Sequence, residues 1–235
     1  MCLTDLLILQ FLAHLLADFT LQGERWATDK IEKGFTSKYL KWHIMIAFTL
    51  SWVLSFQWLF VFVSITIALF HWVIDGFKIK LTNHHSIGRY SFFIDQSLHL
   101  LVIIGFVLLF KYFVPATPAI ILPVSTHWLF IITGYILCTK PANIFIKEVF
   151  KSFDITMATE GNLLNAGKLI GISERILTLT LILYGQFDAV GFIIAGKSII
   201  RFKETDTAKT EYVLIGTLLS FGIAILTGIG IRMLK

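Results

Sequence analysis

The sequence predicts an all-α fold: a polytopic transmembrane bundle of about eight spans with one amphipathic helix on the cytoplasmic interface. Three observations predict it: the surplus of apolar residues, the length of the apolar runs, and the alternation of basic residues between them. Of 235 residues, 56% are hydrophobic and 15% charged, and the mean hydropathy is +0.79. A soluble domain of this size needs more polar surface, so the surplus side chains are expected to face a lipid bilayer. The formal charge of +5 does not point to nucleic acid. Most of its Lys and Arg sit in short connections, and neither a Gly-rich phosphate loop nor an aromatic RNA motif accompanies them.

Apolar runs with helical spacing mark spans at about 3–22, 40–56, 58–77, 92–113, 119–139, 168–184, 187–202 and 212–232. The first lacks a basic leader and a small-residue cleavage site, so it reads as a retained span. The second and third need separating, because no Lys, Arg, Asp or Glu falls between His43 and Asp75. One helix over that stretch would be about 50 Å long, against a hydrocarbon core of about 30 Å. A hairpin near Ser55, Phe56 and Gln57 fits, with Trp52 and Trp58 as interfacial anchors. Gly185 and Gln186 read as a short turn between the sixth and seventh spans.

Basic residues then alternate strictly. Arg25, Lys30, Lys33, Lys38 and Lys41 lie in one connection, Lys78, Lys80 and Arg89 in another. Lys140, Lys147, Lys151 and Lys168 lie in a third, and Arg201, Lys203 and Lys209 in a fourth. The intervening connections hold only Lys111, although Arg232 and Lys235 oppose the trend. The positive-inside rule puts the basic connections in the cytoplasm and both termini outside it. Within 140–168, Phe145, Ile146, Val149, Phe150 and Phe153 recur at helical spacing among Lys147, Glu148, Lys151 and Asp154. That is the pattern of an interfacial amphipathic helix. It separates two four-span halves, 1–114 and 115–235.

Titratable groups within a span are costly, roughly 2.5–3.5 kcal/mol for an Asp. Three spans nevertheless pair an Asp with a His four residues away: His14 and Asp18, His71 and Asp75, Asp95 and His99. Four residues is about one turn, so each pair shares a face. The first and third spans run inward and read His then Asp; the fourth runs outward and reads Asp then His. Every Asp is thus expected near the cytoplasmic end, with every His one turn deeper. His43 opens the second span near the same interface, and Gln22 and Lys78 sit one turn outward of Asp18 and Asp75. Imidazole with carboxylate suits Zn²⁺, Mn²⁺ or Fe²⁺. His14, Asp18, His43, His71, Asp75, Asp95 and His99 are therefore the candidate metal ligands, one or two ions being accommodated. Asp18, Asp75 and Asp95 are the candidate catalytic bases.

His127 reads as a satisfied interior histidine, and His84 and His85 as loop surface. The second half carries Glu174 and Arg175, then Lys197 and Arg201, near the cytoplasmic ends of their spans. Ion pairing between helices is the plain reading, and a clamp for an anion or headgroup the functional one. Gly216, Ser220, Ala224 and Gly228 form a small-residue seam in the last span, suited to packing within the chain or to a homo-oligomer.

Taken together, HLLADFTLQ, His43, HWVIDGFK and FIDQSLH, with AGKLIGISER, GKSIIRF and EYVLIGTLLS, resemble a bacterial inner-membrane family of unknown function, of the DUF3307 type. That resemblance implies an inner-membrane location and brings no activity. More loosely, the His/Asp pattern is similar to predicted membrane-bound metal-dependent hydrolases. The leading expectation is a metal-dependent hydrolase acting on a lipid-linked or phosphorylated substrate from the cytoplasmic side. A proton- or cation-coupled transporter using the His/Asp groups as a relay is the first alternative. A membrane scaffold or sensor subunit is the second.

Overall fold

The computed structural model describes residues 2–114, 124–155, 166–201 and 207–234, and their regular structure is entirely helical. The helices are α1 (Leu3–Leu15), α2 (Glu24–Lys33), α3 (Lys38–Ser55), α4 (Phe60–Thr82) and α5 (Ser91–Phe113). They continue as α6 (Thr126–Leu137), α7 (Lys140–Ser152), α8 (Ala166–Leu183), α9 (Phe187–Arg201) and α10 (Thr207–Met233). They fall into two compact units, Met1–Leu129 and Phe130–Lys235.

Helices occupy the apolar runs, but among the described residues fewer than eight are long and apolar enough to cross a bilayer. Four are, Leu3–Thr20, Phe60–Thr82, Gly88–Phe113 and Thr210–Met233, or five if α6 and α7, bent by 49°, count as one span. The shortfall has physical causes. Lys38, Lys41 and His43 make the start of α3 polar, α8 carries Lys168, Glu174 and Arg175, and α9 is 15 residues long with Asp188 and Lys197. The beginning of the expected fifth span, 119–123, lies outside the described residues.

In the first unit, burial is inverted relative to a soluble protein. Gln10, His14, His43, Ser51, Ser64, His71, Asp75, Asp95 and His99 are buried, while Phe62, Leu69, Leu101 and Leu109 are exposed. Polar interiors with apolar exteriors are the arrangement of an integral membrane protein. The expected hairpin is present: Phe56 turns left-handed at φ 52° and Ser55 Oγ accepts from Gln57 N at 3.2 Å. Leu6, Phe60, Ile103, Val107 and Phe110 form the apolar core at that end.

The basic connection 23–41 is not simply a loop. Gly23 opens α2, and Gly34, at φ +52° and ψ −127°, a backbone conformation open to glycine, closes it. Gly34 also presses on α4, where a Cβ would meet the Gly76 carbonyl oxygen at 2.9 Å. Gly76 in turn leaves room for Phe35, whose ring packs against Trp72 and Phe77. These close approaches pin α2 to the end of α4.

The second unit packs around Cys138, Leu179, Ala224 and Ile231. The small-residue seam of α10 is taken up inside this unit: a Cβ on Gly228 would lie 2.5 Å from Ile182, and one on Gly216 3.4 Å from Phe150. The expected amphipathic helix forms as α7. Its Phe150 is buried and stacks on Tyr212 at 4.4 Å, while Phe153 stays exposed.

Candidate functional site

Four helices of the first unit converge their polar faces at one level. After α1, a π turn over Leu16–Thr20, closed by Leu21 N to Leu16 O at 2.8 Å, carries Asp18. Such turns shift the side-chain register of a helix and recur at functional sites. Asp18 Oδ1 consequently lies 3.5 Å from His14 Nδ1, 3.5 Å from His43 Nε2 and 3.4 Å from His71 Nε2. His43 Nε2 and His71 Nε2 are 2.9 Å apart, and both approach Asp75 Oδ2, at 3.4 and 3.6 Å. The rings of His71 and His99 are 4.0 Å apart, and those of His14 and His99 5.5 Å. All seven residues expected to form the cluster are thus assembled in one place.

Three groups have the spacing of metal ligands: His14, Asp18 and His71; His43, His71 and Asp75; Asp75, Asp95 and His99. The second is a triangle with edges of 2.9, 3.4 and 3.6 Å, its shortest edge being a hydrogen bond between the two imidazoles. Ligand atoms bound tetrahedrally at 2.0–2.1 Å lie roughly 3.3 Å apart. His14 Nδ1, Asp18 Oδ1, His43 Nδ1, Asp75 Oδ1, Asp95 Oδ1 and His99 Nε2 are buried with no hydrogen-bond partner among the described residues.

Two ammonium groups enter the same layer. Lys30, from α2, reaches Asp75 Oδ2 at 2.6 Å, and Lys78 reaches Asp95 Oδ2 at 2.7 Å. Asp18 meets no ammonium group among the described residues; its partners are the three imidazoles and the Gln96 amide, 3.5 Å from Oδ2. Gln96 also donates to Asp95 Oδ2 at 3.1 Å and faces His14 Nε2 at 3.1 Å, tying α1 to α5. Below the imidazoles, a cavity of about 20 Å³ is lined by Gln10, His14, Ser51 and His71. That is room for about one water molecule. Ser51 Oγ donates to Gln10 Oε1 at 2.7 Å and lies 3.0 Å from Ser64 Oγ.

Outside the spans, Asp29 accepts from Lys33 and from Ser37, the N-cap of α3. The Lys33 and Ser37 hydrogen bonds hold its carboxyl below its ordinary 3.8. Asp29 thereby fixes the helix that carries Lys30.

In the second unit, Glu174, Lys197 and Arg175 find partners within the protein. Lys197 donates to Glu174 at 2.6 Å. Arg175 is buried and bonds the Cys138 carbonyl at 2.7 Å, Thr139 at 3.3 Å, Asn143 at 2.6 Å and Ser220 at 2.9 Å. It caps the carbonyls at the bend between α6 and α7. The side chain of Arg201 lies outside the described residues. Half-buried His127 leaves Nδ1 without a hydrogen-bond partner among the described residues, unlike the satisfied histidine expected.

The family model of a protein of unknown function, DUF3307, matches residues 6–131. The chain belongs to the DUF3307 family. In this DUF3307 chain the matched stretch holds the whole His/Asp cluster, Lys30 and Gln96 included, while AGKLIGISER and GKSIIRF lie beyond it. No curated protein and no solved structure matches the chain.

Lys30 and Gln96 were not legible as site residues. Lys30 reads as a topology charge, since nothing local announces a contact 45 positions away. Gln96 lies inside the DQSLH motif, one position off the Asp–His face, so helical periodicity passes over it.

Proposed function

We propose that this DUF3307 chain is a divalent-cation-dependent hydrolase of the bacterial inner membrane, acting on a lipid-linked or phosphorylated substrate from the cytoplasmic side. The observation that carries the proposal is the buried triangle of His43 Nε2, His71 Nε2 and Asp75 Oδ2, whose edges fit a shared cation. When bound, the cation supplies Lewis acidity. Asp18, close to both imidazoles and free of a lysine partner among the described residues, takes the proton of the attacking water. Lys30 and Lys78 place positive charge where an anionic substrate group would sit. In this account α3, α6, α8 and α9 also lie within the bilayer, giving eight crossings with both termini outside.

The test is phosphate release from a phosphorylated lipid in mixed micelles, with elemental analysis of the same preparation. Chelation should abolish turnover, Zn²⁺ or Mn²⁺ should restore it, and His71→Ala should lose at least 100-fold. A preparation that is metal-free and cannot be reloaded would overturn the proposal.

A second reading, a proton- or cation-coupled relay, draws on the Gln10–Ser51–Ser64 network, which carries polar groups beyond the imidazoles. It requires ion movement across proteoliposomes that Ser51→Ala reduces; sealed vesicles showing none would remove it.

A further inference from the structure

We infer that Asp75, Asp95 and His99 form a second cation site beside the first, with the Asp75 carboxylate shared between the two. The inference rests on the metal reading above and extends it to a two-cation centre and a substrate class.

The three residues each bring a ligand atom within 4.8 Å of the others, and each side chain is at most 2% exposed. Each also has a buried atom with no hydrogen-bond partner among the described residues: Asp75 Oδ1, Asp95 Oδ1 and His99 Nε2. Leaving three such acceptors bare is costly, on the order of 1–3 kcal/mol each. One bound cation would satisfy all three.

The protonation of His99 follows from its own helix. Nδ1 lies 2.9 Å from the Asp95 carbonyl oxygen, which can only accept, so Nδ1 carries the proton. Nε2 is then a bare lone pair on the side of the ring facing away from α5. Metal-bound histidines are held in this way, by a carbonyl that fixes the tautomer. Asp95 is oriented similarly: Lys78 and Gln96 engage Oδ2 at 2.7 and 3.1 Å and leave Oδ1 available.

Asp75 connects the two sites. Its Oδ2 faces His43 and His71 at 3.4 and 3.6 Å, while Oδ1 remains for the second cation. Paired metals in hydrolytic centres stand about 3.5–4 Å apart. Charge then selects the substrate. Asp18, Asp75 and Asp95 against Lys30 and Lys78 leave one formal negative charge. Two divalent cations would turn that into a buried excess of positive charge, which is costly unless an anion enters with them. A phosphate group of an ester or diphosphate fits that requirement, and a neutral substrate does not.

The experiment titrates the full-length protein in detergent with Mn²⁺, with and without inorganic phosphate, counting bound Mn²⁺ and recording electron paramagnetic resonance spectra. Two ions per chain with an exchange-coupled spectrum are expected, with phosphate tightening the second ion at least tenfold. His99→Ala, and independently Asp95→Asn, which preserves side-chain size, should retain one ion with an isolated six-line spectrum. Monodispersity on size exclusion establishes that each variant folds. One ion in the wild type, unchanged in both variants, would overturn the second site and leave the first standing. No bound ion at all would overturn both.

Discussion

Replacing Lys30 with Met isolates the electrostatics of the cluster. The Lys30 side chain is 3% exposed and that of Asp75 1%, with Nζ and Oδ2 2.6 Å apart. Removing one partner of a buried ion pair leaves the other charge uncompensated, at about 3–5 kcal/mol. His43 Nε2 and His71 Nε2, 3.4 and 3.6 Å from the same oxygen, remain as polar neighbours, so the lower end of that range, about 3 kcal/mol, is expected. Lys30→Met combined with Asp75→Asn should recover to within about 1 kcal/mol of wild type, since no stranded charge remains. A divalent cation should stabilise Lys30→Met more than wild type, because it replaces the missing ammonium beside Asp75. Unfolding by SDS titration in mixed micelles, followed by tryptophan fluorescence, reads all three effects. A single-variant cost under about 1 kcal/mol, or a double variant worse than the single, would show that Lys30 does not compensate a buried Asp75 charge.

Gly76→Ala should cost about 1–3 kcal/mol in the same titration, because its Cβ would come within 2.1 Å of the Phe35 ring and push α2 off α4. A tryptophan emission shift should accompany it, Trp72 being in contact with Phe35. Arg175→Leu should cost at least about 3 kcal/mol, since four hydrogen bonds from one cation at the α6–α7 bend are lost together. Arg175→Lys should not rescue it, one ammonium being unable to span the four acceptors. Asp29 titrates below its ordinary 3.8 in the folded chain, so its contribution is present above that pH and lost as pH falls through the lowered value. Hydrogen exchange of α2 amides should therefore accelerate below about pH 4 in wild type, and Asp29→Asn should lack that step.

The sequence made the cluster legible because its logic is one-dimensional. HLLAD, HWVID and DQSLH each place an imidazole and a carboxylate a turn apart, and reversing the order with helix direction brings them to one level. His43 joins them because it is one turn inside the start of α3. The same periodicity located the α7 stripe, and the excess length of the charge-free run from His43 to Asp75 located the Phe56 hairpin. What it could not carry was long-range pairing. Lys30 reaches Asp75 only because Gly34 and Gly76 let two backbones touch, and Arg175 finds neutral carbonyls at a helix bend where a carboxylate was expected. Hydropathy marks more spans than length and composition support among the described residues, since α8 carries Lys168, Glu174 and Arg175 and α9 is 15 residues long with Asp188 and Lys197. Gly23 and Gly34 bracket α2 plainly enough to have revealed the helix, though not the burial of its lysine.

The most direct measurement is X-ray absorption at the zinc edge of the Zn²⁺-loaded protein. Nitrogen and oxygen ligands at about 2.0–2.1 Å are expected, with outer-shell scattering from imidazole that His71→Ala reduces. A shell without imidazole scattering, or one unchanged by His71→Ala, would contradict that expectation.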